Sequence, residues 1–177
     1  FIEETGAAQH YRDARILTIY EGTTGIQALD LVGRKTLLNQ GALLNSLLEE
    51  MDETVEQLRH IDALDYQAVA LAAALGAGRE ALSRLLDNAK HDADWAGSVS
   101  VNFLMLFGYL SGGWLMARSA LQAHAQLEAG TGDAAFLKAK GVSARFYAEQ
   151  LLPRVHALLA AVSAGSASIM ALDEEQF

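Results

Sequence analysis

The chain has 177 residues, of which 51% are hydrophobic, with one proline and no cysteine. This length suits one hydrophobic core, and the abundance of Ala and Leu with few helix breakers favours an all-α fold. A net charge of −9 argues against nucleic acid or an anionic membrane surface as a main partner. The lack of cysteine excludes disulfides, thiolate zinc sites and cysteine nucleophiles, and it fits a cytoplasmic protein.

The first forty residues are predicted to form two helices separated by a sharp break. The pattern gives a helix over Ala7–Ile19, an interruption at Tyr20–Gly22, a second helix to about Asn39 and a turn at Gly41. Thr23 or Thr24 is suited to cap the second helix, because its hydroxyl oxygen can accept hydrogen bonds from the free backbone N–H groups of the first turn.

Four longer patterns of apolar residues at helical spacing follow. They predict helices over Leu43–Leu58, Tyr66–Ala89, Trp95–Ala129 and Ala134–Ser163. The third carries no charge before Arg118 and is predicted to be the central, most buried helix; its glycines and polar residues are atypical of a membrane helix. Pro153 should kink or interrupt the fourth. Short connections between these helices favour an antiparallel helical bundle of five to six helices.

The ends of these helices carry further expectations. Asp65 and Asp133 are N-cap candidates for the helices that follow them. Phe136 and Phe146 are expected to face inward. The segment after Ser163 is predicted to be a tail that docks on the bundle.

One carboxylate, Glu21, lies in the break between the first two helices, flanked by Tyr20 and Gly22. Rigid helices would hold it while it reaches into a cavity, where desolvation would make it a stronger base. Gly22 would let a substrate approach the backbone closely, and the helix that starts at Thr23 or Thr24 suits a polar or anionic ligand. From spacing alone, however, a loop carboxylate is more often simply solvated.

The same segment carries a family resemblance. The blocks Tyr11-Arg12-Asp13-Ala14-Arg15-Ile16 and Ile19-Tyr20-Glu21-Gly22-Thr23, followed by Ile26-Gln27, resemble the C-terminal signature of the acyl-CoA dehydrogenase family. The later helices are similar to the C-terminal extension of the larger members. The resemblance implies that residues 1–40 end the family's catalytic helical domain and that residues 41–177 form a helical-bundle extension.

The resemblance implies a flavin-dependent oxidoreductase of fatty acid metabolism that converts an acyl-CoA thioester to a trans-2-enoyl-CoA. Glu21 would abstract the α-proton, FAD would take the β-hydride, and electrons would pass to an electron-transfer flavoprotein. Tyr20 and Gly22 would border the acyl-CoA substrate. The residues near FAD would be Thr23, Thr24 and Gln27.

The resemblance also implies a homo-oligomer. The family's N-terminal and middle domains supply most of the FAD and CoA pocket and are not in this sequence. The chain alone is therefore expected to be inactive and to bind no FAD.

Two other interpretations stay open. One is a non-catalytic helical module for oligomerisation or partner docking of its parent protein. The other is a relative that kept the fold and lost dehydrogenation. No two histidines share the i,i+4 spacing of a helical metal pair, so no metal site is predicted. The acidic run Glu49–Glu56 is interpreted as a solvated face, with subunit or flavoprotein docking as the alternative.

Overall fold

The structure is a computed structural model that describes residue 4, residues 6–20 and residues 24–176, without the side chains of residues 17–20. The α-helices are α1 (Ala7–Tyr20), α2 (Thr24–Asp30), α3 (Ala42–Arg59), α4 (Asp65–Asn88), α5 (Trp95–Glu128), α6 (Ala134–Gln150) and α7 (Arg154–Ala164). Every regular element within these ranges is helical, which confirms the all-α prediction. Apart from α2, which has seven residues, each helix has eleven residues or more.

The bundle consists of α3, α4, α5 and the pair α6–α7. Consecutive helices contact each other through short connections, so neighbours run antiparallel. Both α6 and α7 contact α4 and α5, and together they act as one interrupted helix beside α5. The largest fully buried side chains come from α3, α4, α5, α7 and the segment after α2: Phe103, Leu48, Met51, Leu58, Leu71, Leu75, Leu85, Leu106, Leu110, Val32, Val99 and Val155.

The central helix is α5, as predicted. It contacts α2, α3, α4, α6 and α7. The rings of Phe103 and Phe107 pack with their centroids 4.7 Å apart inside the bundle. By length and composition α5 would also suffice to cross a membrane, with a mean hydropathy of 1.4 over its most apolar 18 residues. A core helix of a bundle passes the same test, and 39% of this window is buried inside the fold.

The interruption between α6 and α7 follows from Pro153. This proline lies directly before α7, where its missing N–H costs nothing. Asp133 caps α6 as predicted: its Oδ1 accepts from the backbone N–H groups of Ala135 at 2.8 Å and Phe136 at 3.3 Å. Asp65 is not a cap, because a 3₁₀ turn runs directly into α4 and Asp65 is already its first residue.

The prediction that Phe136 and Phe146 face inward is wrong. Each is 58% exposed. The buried face of α6 is made by Leu137, Ala144 and Ala148. These are mostly small side chains, so α6 lies close to its neighbours and the two phenylalanines fall on its other faces.

The predicted second helix extends to Asn39 but changes type on the way. After α2 comes a π-helix over Leu31–Thr36 and then a 3₁₀ turn over Leu37–Asn39. The buried Thr36 hydroxyl donates to the Leu31 carbonyl at 2.8 Å, inside this wider turn. Gln40 and Gly41 then adopt positive φ values of 52° and 78° and redirect the chain into α3.

The predicted tail docks on the bundle only at its start, through Gly165 and Ser166, whereas residues 167–176 are exposed. Gly165, with a φ of 70°, lies against the Trp95 ring so closely that a Cβ would overlap it. The hydroxyl of Ser166 donates a hydrogen bond to the Asp92 carboxylate. The chain beyond α7 is therefore fastened to the connection between α4 and α5.

Two glycines of α4 give opposite predictions for the same substitution. A Cβ at Gly78 would lie 2.8 Å from Cδ2 of the fully buried Leu110, whereas a Cβ at Gly76 meets nothing within 4 Å. We expect Gly78→Ala to destabilise the fold by about 1–3 kcal/mol through overpacking. Gly76→Ala should stabilise it by about 0.5–1 kcal/mol through helix propensity. Urea unfolding followed by circular dichroism measures both, and equal effects would contradict this packing.

A buried hydrogen bond between α5 and α3 gives a second prediction. The indole N–H of Trp114 donates to the Thr54 hydroxyl at 2.8 Å. Thr54→Val keeps the shape but leaves the indole N–H unpaired, so the free energy of unfolding should fall by about 1–3 kcal/mol. Thr54→Ser keeps the acceptor and serves as the control. The bond is refuted if the valine variant is as stable as the serine variant.

The tail attachment predicts a pH dependence. The pKa of Asp92 lies below its ordinary value of 3.8. The main cause is the hydrogen bond that the Ser166 hydroxyl donates, and the backbone N–H of Asp94 donates a second one. Because the folded-state pKa is the lower one, ionised Asp92 stabilises the fold above 3.8, and this contribution is lost as the pH falls through the folded value. Ser166→Ala should reduce that acid sensitivity. Unfolding curves between pH 2 and 7 test it, with Ser163→Ala as the control; identical pH profiles would exclude the attachment.

Candidate active-site segment

The predicted site segment maps onto the end of α1 and the start of α2. The helix α1 ends at Tyr20, one residue later than predicted, and α2 begins at Thr24, so Tyr20 belongs to the helix rather than to the predicted break. Glu21, Gly22 and Thr23 lie outside the described residues, and so does the side chain of Tyr20. The roles assigned to these four residues therefore stay predictions.

The helix α2 is anchored on the bundle by its inner side. Ala28 is fully buried, and α2 contacts α5. Asp30, at the end of α2, forms ion pairs with Arg34 at 3.0 Å and with Lys35 at 3.6 Å. The burial of Ala28 and the contact with α5 hold α2 on the bundle, whereas the ion pairs of Asp30 are local and largely exposed.

Both α1 and α2 expose apolar side chains. Tyr11 and Ile16 of α1 are exposed beside charged residues, and Leu29 and Ile26 of α2 are exposed, the last to 62%. Exposed apolar side chains grouped along one segment typically mark a surface that contacts something else. Ile26 and Leu29 are thus apolar residues of α2 that the bundle leaves exposed.

Thr24 and Gln27 are the two described residues predicted to lie near FAD. Thr24 is exposed and Gln27 is half-buried, and their i,i+3 spacing places them on one side of α2. A hydroxyl and a carboxamide in this arrangement fit hydrogen bonds to a polar edge of a flavin. They belong to one seven-residue helix, so they fit one edge of such a group and do not enclose it.

Sequence reasoning missed a groove beside α6. A cleft of about 560 Å³ lies between α5 and α6, lined in part by Leu115, Arg118, Phe136 and Lys140. The Arg118 guanidinium lies 4.9 Å from the Trp114 ring centroid, and the Lys140 amine lies 5.1 Å from that of Phe136. Each cation follows its ring by four residues, and this spacing was the signal in the sequence.

Charges of both signs line the groove, since Asp133 lies there with Arg118 and Lys140. Neither Arg118 nor Lys140 has a carboxylate ion pair within the described residues, although the chain is acidic overall. No group of three His, Asp or Glu side chains suited to a metal occurs in the part of the chain that the structure describes.

The bundle itself matches a known family. Residues 47–173, from within α3 into the tail, match the family model described as acetyl-CoA dehydrogenase C-terminal like. The chain belongs to the acyl-CoA dehydrogenase C-terminal family. The resemblance inferred from Tyr11–Gln27 is thereby confirmed by a separate part of the chain.

Curated relatives agree with this assignment. The chain is 48% identical over 153 residues to 3-methylmercaptopropionyl-CoA dehydrogenase of Ruegeria pomeroyi, covering 86% of the chain and 26% of the relative. It is 35% identical to a broad-specificity linear acyl-CoA dehydrogenase of Mycobacterium tuberculosis, covering 100% of the chain and 30% of the relative. A butyryl-CoA dehydrogenase of Syntrophomonas wolfei is 29% identical, at 100% and 29% coverage.

This acyl-CoA dehydrogenase C-terminal region spans less than a third of the length of each of these relatives. The family model begins at residue 47 and so covers the bundle rather than α1 and α2. The division of the chain at residues 40 and 41 stays a prediction.

Proposed function

We propose that this chain is the C-terminal part of an FAD-dependent acyl-CoA dehydrogenase that oxidises an acyl-CoA thioester to a trans-2-enoyl-CoA. The family membership of the bundle supports the class of parent protein. The sequence motif Tyr20-Glu21-Gly22-Thr23 carries the proposal, and it falls in the chain between α1 and α2, the second of which is held on the bundle through the buried Ala28.

In this proposal Glu21 is the general base. Its carboxylate takes the α-proton, the hydrogen on the β-carbon leaves with its electron pair, and the carbon–carbon double bond forms. FAD, when bound, supplies the acceptor for that hydride. Tyr20 and Gly22 border the thioester, which lets the backbone at Gly22 approach the substrate closely.

Thr24 and Gln27 donate or accept hydrogen bonds at the edge of the flavin, together with Thr23. The apolar outer sides of α1 and α2 pack against the parts of the protein that complete the pocket. For this reason the 177-residue chain alone is proposed to be inactive and to bind no FAD.

Further partners follow from the family. We propose a homo-oligomeric protein of the cytoplasm that passes its electrons to an electron-transfer flavoprotein, with no nucleic-acid or membrane partner. The second candidate function is a non-catalytic helical module for oligomerisation or partner docking. The unpaired cations beside exposed Phe136 and Leu115 favour this candidate for the bundle, and it is compatible with chemistry at Glu21.

The base assignment is tested by Glu21→Gln in the full-length protein. We expect the variant to keep its flavin absorbance, whereas the rate of flavin reduction by an acyl-CoA falls by about 10²–10⁴-fold, because glutamine cannot accept the α-proton. Anaerobic stopped-flow absorbance with a panel of acyl-CoAs measures this rate and also identifies the preferred acyl chain.

The matched control is Glu53→Gln, which changes an exposed glutamate of α3 in the same way. It should reduce at the wild-type rate. Unchanged reduction in Glu21→Gln would remove Glu21 as the base. A full-length protein without flavin, or with a flavin that no acyl-CoA reduces, would favour the non-catalytic module.

A further inference from the structure

Three buried residues join α2 to the π-helix that follows it. Ala28, Val32 and Thr36 are each exposed by 1% or less, and they are spaced four residues apart in the chain. All other residues from Thr24 to Thr36 are exposed or half-buried. The three therefore make up the buried side of this segment, and both α2 and the π-helix contact α5.

A spacing of four residues does not stay on one side of an ordinary α-helix. With about 3.6 residues per turn, each step of four residues advances about 40° beyond a full turn, so Ala28 and Thr36 would lie about 80° apart. A π-helix has a wider turn, closed by hydrogen bonds to the carbonyl five residues back, and there a step of four residues falls short of a full turn. The two deviations oppose each other and keep Ala28, Val32 and Thr36 on one side.

The hydrogen bond of the Thr36 hydroxyl belongs to this wider turn. In an α-helix, a threonine hydroxyl bonds the carbonyl three or four residues back. Here the hydroxyl donates to the carbonyl of Leu31, five residues back, at 2.8 Å. The backbone follows the same spacing, since the N–H of Leu37 donates to the carbonyl of Val32 as well as to that of Gly33. The hydroxyl therefore stabilises the π-helix relative to an α-helix of the same residues.

The rotation of α2 decides where its polar side chains lie. If the π-helix became an α-helix while Val32 and Thr36 stayed buried, α2 would turn about its axis by more than about 40°, which moves a side chain some 5–6 Å from the axis by about 4 Å. Thr24 and Gln27, now exposed and half-buried, would leave their positions. Such a displacement matters for catalysis, because a misplacement of about 1 Å can cost about 10²-fold in rate.

We propose that Thr36 is a positioning residue for the flavin side of the reaction. Its hydroxyl holds the π-helix, the π-helix sets the rotation of α2, and that rotation presents Thr24 and Gln27 to the edge of the flavin. The inference rests on the proposed function, since that function places these two residues beside FAD. It does not depend on where the side chain of Glu21 lies.

Thr36→Val in the full-length protein tests the role of the hydroxyl. Valine has the shape of threonine but cannot donate, so the π-helix loses a hydrogen bond that an α-helix does not make. The rate of flavin reduction by a saturating acyl-CoA should fall by about tenfold or more, as expected when groups beside the reacting ring are misplaced. Thr36→Ser keeps the hydroxyl and should restore a rate close to that of the wild type.

Thr54→Val is the matched control. Thr54 is also a buried threonine whose hydroxyl takes part in a hydrogen bond, but it belongs to α3. This variant should lower the stability of the fold without slowing flavin reduction. Equal slowing in the two valine variants would indicate a general loss of stability and would overturn the proposal.

A second measurement needs neither flavin nor substrate. In the full-length protein, a cysteine introduced by Ala28→Cys should react slowly with a maleimide, because Ala28 is fully buried, and mass spectrometry locates the label. Adding Thr36→Val should speed this labelling roughly fivefold or more, the shift expected for the loss of one hydrogen bond. Adding Thr36→Ser should not. Ile26→Cys, at an exposed position of the same helix, is the reference that reacts fast in every background.

The two measurements separate this inference from the proposed function. A flavin that no acyl-CoA reduces would overturn the proposed function, and the labelling would still decide whether Thr36 sets the rotation of α2. Unchanged labelling of Ala28→Cys in the Thr36→Val background would overturn the inference even if reduction slows. Unchanged reduction in Thr36→Val would overturn it as well and leave Thr36 as an ordinary buried threonine.

Discussion

The burial of α5 is the constraint on which the rest of the fold depends. A helix of 34 residues whose first 23 carry no charge is unstable unless other helices cover it. Five helices do so, and α6 and α7 can both lie along it only because the chain breaks at Pro153. The close approach of these helices follows from small residues: Gly112 admits the Tyr147 ring, and Gly113 admits Leu152. The bundle is thus arranged around α5 rather than around a binding cavity.

Much of this arrangement could be predicted from the sequence. The periodicity of apolar residues located α3, α4 and α5 almost to the residue, since long amphipathic patterns are the strongest local signal. Two single residues were also predictable: Asp133 caps α6, and Pro153 separates α6 from α7. The wrong prediction for Phe136 and Phe146 rests on size and hydrophobicity, whereas α6 buries Leu137, Ala144 and Ala148 instead. Which face of a helix is buried depends on how closely its partners approach, and that is a property of the assembled fold.

The candidate site was predictable in a different way. The signature around Glu21 is a chemical pattern, whereas the family match covers the bundle. The two parts of the chain thus carry separate information. Arg118 and Lys140 of the α5–α6 groove each follow an aromatic residue at helical spacing, but which charges lie near them is visible only in the fold.

The junction at Gln40 and Gly41 has a consequence for how the two parts communicate. Gln40 and Gly41 both adopt left-handed backbone conformations. They form a short, tight turn between the 3₁₀ turn Leu37–Asn39 and α3. A Cβ at Gly41 would lie 3.1 Å from Cδ1 of both Leu82 and Leu86. The turn at Gln40 and Gly41 therefore packs directly against α4, and the packing of α4 determines its position. Repacking of α4 at these leucines would shift the turn at Gly41, and with it the start of α3 and the helical segment that leads back to α2.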